Sequence, residues 1–211
     1  MAVVDLRPLP VTLAPARRLP QLIGGLALYG TSMAMQIRAG LGLNPWDVLH
    51  EGLALRTPLS FGLITAVTGA VVLLLWIPLR QRPGIGTVAN VVVIAVAVDA
   101  ALALLPPVEG LVPRIALLLG GVLLNGVATA AYVGARLGPG PRDGLMTGLA
   151  ARTGRSVRLV RTGLEVVVLA TGWLLGGTVG VGTVLYALAI GPLTQAFLPF
   201  LAVRTPERAG T

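Results

Sequence analysis

The sequence predicts an all-α fold: a polytopic membrane helical bundle of six transmembrane helices, built as an inverted 3+3 repeat with two short re-entrant or interfacial helices. Three observations carry that expectation. The chain is 55% hydrophobic and only 11% charged, with a mean hydropathy of +0.87, whereas soluble domains carry about 25% charged residues. Six mainly apolar windows, 20–39, 58–78, 86–105, 113–133, 158–177 and 181–202, each have the length that crosses ~30 Å of hydrocarbon as a helix. Finally, "GLGLNPWDVLHEGLALRT" (40–57) recurs without a gap 96 residues later as "RLGPGPRDGLMTGLAART" (136–153), with ten of eighteen positions identical.

Taken in chain order, residues 1–19 are Pro-rich and basic. They lack the apolar stretch and small-residue cleavage site of a signal peptide, so they read as a cytoplasmic tail ahead of an uncleaved first span. Residues 20–112 form the first three-span repeat, 113–202 the second, and 203–211 a cytoplasmic C-terminal tail. The offset of 96 also aligns Gly30 with Gly126, Ala34 with Ala130, and "GIGT" (84–87) with "GVGT" (180–183). Apolar composition aligns Leu and Ala by chance, but not Pro, Asp, Arg, Thr and several Gly in one register. Three spans per unit is an odd number, so the second copy enters the membrane upside down relative to the first.

The arginines agree with that topology. The net charge of +8 comes from Arg, since the chain has no Lys. With the N-terminus inside, only Arg38, Arg56 and Arg114 fall on the outer side and the other thirteen on the inner side. The positive-inside rule accounts for this asymmetry without nucleic acid as a partner and places both termini in the cytoplasm. There is no cysteine, which excludes disulfide and thiol chemistry.

The two matched segments read as helix starts. Asn44 suits an N-cap, Pro45 the first helical position, and Asp47 the first turn, where a negative charge complements the helix dipole. Gly140, Pro141 and Asp143 repeat the pattern. The helices near 45–56 and 141–152 are under ~20 Å long at ~1.5 Å per residue and cannot span. Each follows Gly-rich chain, "AGLGL" or "GARLGPG", so each either lies at the interface or dives in and returns. Irregular backbone at depth is tolerated where protein or a water-filled cavity satisfies it. If both are re-entrant, Asp47 and Asp143 approach each other near the bilayer centre from opposite faces.

This places a substrate or ion pathway at Asp47, Asp143, Asn44, Glu51, Arg56, Arg152 and Thr147, with Asp99, Glu165 and His50 as secondary candidates. Asp47, His50 and Glu51 share one helical face, matched by Asp143, Met146 and Thr147. Ionisable groups at membrane depth cost about 2.5–3.5 kcal/mol each, which favours function. The competing account has Asp47 and Asp143 paired with Arg56 and Arg152 as locks of the repeat interface. His50 has no repeat mate and is not expected to be indispensable. Glu165 follows Arg161 by four residues, the spacing of a helical ion pair. Asn90, Asn125 and Gln195 are expected to hydrogen-bond between helices.

One His, no Cys and no His-Glu-x-x-His spacing argue against a metal. No cofactor motif occurs, and no nucleophile–base pair at recognisable spacing points to an enzyme. The expected function is secondary transport or facilitated passage of a small-molecule solute, with the lipid bilayer as surroundings. The alternative is a non-transporting scaffold or binding subunit. In that reading the Arg-rich stretch 151–161 docks a cytoplasmic or membrane partner, and a homo-oligomer stays open too.

The short basic tail, "GLGLNPWDVL", Gly-x-Gly-Thr before the third span and "GPRDGL" in the second copy together resemble the YczE/YyaS/YitT-type family of bacterial integral membrane proteins. The resemblance runs from about residue 20 to 200. It implies a multi-span protein of the bacterial plasma (inner) membrane and no particular substrate.

Overall fold

A computed structural model of the chain describes residues 6 and 8–203. The arginines expected inside at 7, 204 and 208 lie outside the described residues. Among the described residues the fold is entirely helical: α1 Pro15–Ala39, α2 Pro45–Ala54, α3 Phe61–Leu79, α4 Ile85–Leu104, α5 Leu111–Gly134, α6 Pro141–Thr153, α7 Val157–Leu174 and α8 Val181–Leu201. The first residues of α1 to α4 and of α5 to α8 stand 96 positions apart in every case. Local chemistry explains the shared starts. Ser60 accepts a hydrogen bond from Leu63 N, and its mate Ser156 accepts one from Leu159 N. In the Gly-x-Gly-Thr motifs, Thr87 accepts from Gly84 N and Thr183 from Gly180 N, so each threonine caps its own helix.

Four helices, α3, α4, α5 and α8, are long and apolar enough to cross a membrane. The other two expected spans coincide with α1 and α7, which are 25 and 18 residues long. They are less apolar because they carry Arg17, Arg18 and Arg38, and Arg158, Arg161 and Glu165. Large apolar side chains stand exposed on the outside, among them Leu74, Ile77, Leu104, Leu188 and Phe200. Such a belt is unfavourable against water and suits hydrocarbon.

The first helix starts inside the stretch expected to be tail. Arg18 is fully buried and explains why. It donates to the carbonyls of Pro10 (2.6 Å), Leu13 (2.8 Å) and Leu9 (3.2 Å). It also donates to Ala135 (2.8 Å) and Arg136 (2.9 Å) at the end of α5. One guanidinium thus ties the N-terminal segment to the start of the α5–α6 connection. Arg18→Ala is expected to release that segment, seen as faster tryptic cleavage at Arg17 with the melting temperature of the bundle lowered only slightly.

At the centre, α1 and α5 pack against each other, α4 lies on α1, and α8 lies on α5. Leu22, Leu26, Met33 and Ala34 of α1 meet Ile94 and Val98 of α4 and Tyr132 of α5 in the main core. The short helices cross over: α2 packs on α7, and α6 on α3. Two matching backbone bonds set this exchange. Gly86 N donates to Leu137 O (2.9 Å) and Gly182 N to Leu41 O (2.8 Å), residue pairs related by the same offset. The chain before each short helix is therefore docked on the first turn of the other repeat's last helix. The Gly-x-Gly-Thr motif serves this docking, a role its sequence context did not disclose.

The tight contacts of the short helices use a size exchange between the repeats. A Cβ on Gly144 of α6 would stand 2.0 Å from the Trp76 indole of α3. In the other copy the large and small partners are reversed, with Val48 on α2 and Gly172 on α7, where a Cβ would meet the Val48 carbonyl carbon at 2.5 Å.

Candidate functional site

The N-terminal ends of α2 and α6 meet in the interior. Asn44, Trp46, Asp47 and His50 are buried, as are Pro141, Leu145 and Met146. Leu55 and Thr153, at the opposite ends, are exposed. The contact between the two ends is made by repeat mates: the Arg142 guanidinium lies 4.8 Å above the Trp46 ring, and positions 46 and 142 differ by the offset of 96. Two equivalent positions touch only where the relation between the repeats brings them to a common axis, so the site lies at the junction of the two halves.

Around this junction lies a cavity of about 470 Å³ to which all eight helices contribute. Its wall is mostly apolar, with aromatic and polar side chains set into it. The three tyrosines of the chain, Tyr29, Tyr132 and Tyr186, all line it, with Trp46, His50, Arg142, Asp143, Arg161 and Glu165. Tyr29 and Tyr132 meet edge to face at 6.0 Å. Tyr186 donates to Asn125 Oδ1 at 3.0 Å, and Asn125 donates to Ser32 at 2.7 Å, which links α8, α5 and α1. The expected interhelical role of Asn125 is thus realised, while Asn90 and Gln195 line the cavity.

The repeat mates Asp47 and Asp143 have different surroundings. Asp47 is buried completely. Its Oδ2 accepts from Asn44 Nδ2 at 2.5 Å. Its Oδ1 lies 3.3 Å from His50 Nδ1 and 3.8 Å from the Arg142 guanidinium. Asn44 in turn accepts from the backbone N–H of Trp46 and Asp47, so cap and carboxylate form one unit. Asp143 is exposed to the cavity and lies against Gly140, the cap of its own helix. His50, a secondary candidate on sequence and without a repeat mate, is buried at the site beside Asp47, Thr65 and Phe61. A signal was available in the i, i+3 spacing of Asp47 and His50 on one helix face.

The structure does not form the Asp–Arg locks. Arg56 donates instead to Leu175 O at 3.2 Å, and Arg152 to Pro78 O. Each thus ties the end of a short helix to carbonyls at the C-terminal end of the other repeat's long helix, where a cation suits the dipole. They lock the interface, but through backbone. Glu51 also leaves the site, accepting from Thr178 N at 2.6 Å. Thr147 bonds back to Asp143 O and Gly144 O of its own helix. Asp99 accepts from Ser60 Oγ at 2.5 Å and Gly62 N at 2.7 Å, pinning α4 to the start of α3. Glu165 pairs with Arg161 at 2.8 Å, as its spacing suggests. Of the expected residues, Asn44, Asp143, His50 and Glu165 line the cavity and Asp47 lies directly behind them. Sequence reasoning missed Arg142, Trp46 and the tyrosines, which come from helices far apart in the chain. No group of His, Asp and Glu suited to a metal occurs among the described residues.

Residues 16–199 match the family described as "Family of unknown function (DUF6198)". An "Uncharacterized protein" of Haemophilus influenzae is 41% identical over 181 residues, covering 86% of this chain and 83% of its own length. The "Uncharacterized membrane protein YczE" of Bacillus subtilis is 35% identical over 172 residues, covering 81% and 80%. The "Uncharacterized protein YyaS" of the same organism is 23% identical over 181 residues, covering 84% and 90%. No solved structure matches the chain. The match across nearly the whole bundle, together with the relatives YczE and YyaS that the two Pro-x-Asp segments point to, shows that the chain belongs to this DUF6198 family.

Proposed function

We propose that the protein is a six-span transporter of a small solute in the bacterial plasma membrane, its two repeats lying in opposite orientation and exchanging conformations about the central cavity. In this reading α1 and α7 complete the spans, both termini are cytoplasmic, and α2 and α6 are re-entrant with their first turns at mid-bilayer. The cavity binds and passes its solute without chemistry on it.

One observation carries the reading: the two halves share a fold but not a conformation. The helix α3 packs along α4, whereas α7 makes no comparable contact with α8. On α4, Ala95 and Val98 are buried. Their mates on α8, Gly191 and Thr194, are not, and they line the cavity with Gln195 and Leu198. A Cβ on Gly191 would meet nothing within 4 Å, while one on Gly62, across from Ala95, would stand 2.2 Å from the Ala95 carbonyl oxygen. One side is sealed and its equivalent is parted, which is how an inverted repeat holds a site open to one face. The exposed Arg155 and Arg158 leave room for a docked partner, but the scaffold reading gives the asymmetric cavity no role.

The absence of cysteine makes the test direct. A Cβ on Gly69 would lie 3.7 Å from Val91 Cβ, within the span of a disulfide. G69C/V91C is therefore expected to cross-link readily. The mate pair E165C/A187C is expected to cross-link in a second population, and the G69C/V91C bond to block solute flux until reduced. A mate pair that never cross-links in membranes overturns the alternating reading.

A further inference from the structure

We infer that the cavity takes a small organic zwitterion, a solute carrying both a carboxylate and an ammonium group; this rests on reading the cavity as a solute site. On adjacent residues of α6 the lumen offers a guanidinium that makes no hydrogen bond to the protein and a carboxylate without an ion-pair partner among the described residues. The Arg142 guanidinium is stacked on Trp46, and its nearest carboxylate oxygen, at 3.8 Å, is beyond a hydrogen bond. Among the described residues it donates no hydrogen bond to the protein. Its planar fork of N–H donors is thereby left for a ligand, and that fork matches a carboxylate in two parallel bonds.

Asp143 is the complement. It is exposed to the cavity and has no ion-pair partner among the described residues. The Tyr132 hydroxyl lies close to the same Gly140, so a carboxylate and a hydroxyl oxygen stand together as acceptors for an ammonium. Of the other charges, Arg161 and Glu165 neutralise each other at 2.8 Å, and Asp47, 3.8 Å from Arg142, is held by Asn44 behind the wall. A simple carboxylate solute would leave Asp143 repelling it, and a simple amine would leave the Arg142 donors without an acceptor. A zwitterion satisfies both. The volume of about 470 Å³ fits an organic molecule rather than a bare ion.

The test uses the purified full chain with leucine and glycine betaine as zwitterions, isobutylamine and choline as cations, and isobutyrate as the carboxylate. Trp46, lying under Arg142, makes intrinsic fluorescence a local readout, with thermal shift beside it. The zwitterions are expected to bind about tenfold or more tightly than the single-charge probes, the scale of a lost charged hydrogen bond. Arg142→Gln is expected to shift preference toward the amines. Asp143→Asn, a cavity-facing change that leaves the core untouched, is expected to shift it toward isobutyrate. This opposite exchange of selectivity is one that misfolding does not produce. Equal or tighter binding of amine or carboxylate alone overturns the zwitterion assignment. So does silence from every probe in a protein whose E165C/A187C pair cross-links, and in that case the transport reading stands. Zwitterion binding without flux or that cross-link leaves the ligand class intact and sinks the transport reading instead.

Discussion

Asp47→Ala should destabilise the bundle strongly, while the same change at its repeat mate, Asp143→Ala, should scarcely be felt. Sequence treats the two as equivalent, each in the first turn behind a Pro. Burial separates them. Removing the Asp47 carboxylate strips Asn44 of its 2.5 Å partner and His50 of its neighbour. It also removes the carboxylate 3.8 Å from Arg142, and breaking a buried pair typically costs about 3–5 kcal/mol. The lower end applies, because the Arg142 side chain is 26% exposed to the cavity. At about 2–4 °C per kcal/mol for a chain of this length, the melting temperature should fall by roughly 6–12 °C. Asp143 already faces the cavity, and exposed changes usually stay within about 0.5 kcal/mol. Melting curves of the two variants in the same detergent decide the matter. Equal shifts would show that the carboxylates play one structural role and that the cavity reading of Asp143 is wrong. Asp47→Asn keeps a neutral partner for Asn44 and is expected to fall between wild type and Asp47→Ala.

Gly144→Val should largely prevent folding, because its Cβ would stand 2.0 Å from the Trp76 ring and the indole has nowhere to go. Trp76 is itself buried and donates from Nε1 to Pro141 O at 2.9 Å, holding the first turn of α6 in place. Overpacking of this kind costs typically 1–3 kcal/mol and more where backbone has to shift. Here the α3–α6 contact itself has to open. Trp76→Gly alone should also be costly, on the scale of about 3–5 kcal/mol for emptying a large buried site. The double variant Gly144→Val with Trp76→Gly recreates the Val48–Gly172 arrangement of the other repeat, so it is expected to recover folding relative to either single change. Yield of monodisperse protein on size exclusion, followed by melting, measures this. A double variant no better than the worse single change would show that the size exchange between the copies is incidental.

Much of the fold was legible in one dimension because its signals are local. Proline and Asn44 or Gly140 fix where the short helices begin, and an apolar run over twenty residues needs no partner to be recognised. The Arg161–Glu165 pair was legible for the same reason, since i, i+4 spacing makes neighbours of residues on one helix. The roles of Arg56 and Arg152 were half legible: their repetition marked them as interface residues, but spacing pointed to carboxylates and the structure gives them carbonyls. Carbonyls at a helix end carry no side-chain signature, so no sequence pattern announces them.

Sequence by itself determined the helical class, the duplication, the starts of the two short helices and the family. Only the tertiary structure decided which of two matched aspartates is buried, that three tyrosines from α1, α5 and α8 share one cavity, that Arg142 sits on its own repeat mate Trp46, and that one half is sealed while the other is parted. The reason is physical. The first group depends on torsions, caps and hydrophobic length within a few residues, whereas the second depends on α2 and α6 exchanging places between the repeats. Backbone bonds from Gly86 to Leu137 and from Gly182 to Leu41 hold that exchange, and they join segments about fifty and one hundred and forty residues apart, beyond the reach of any local pattern.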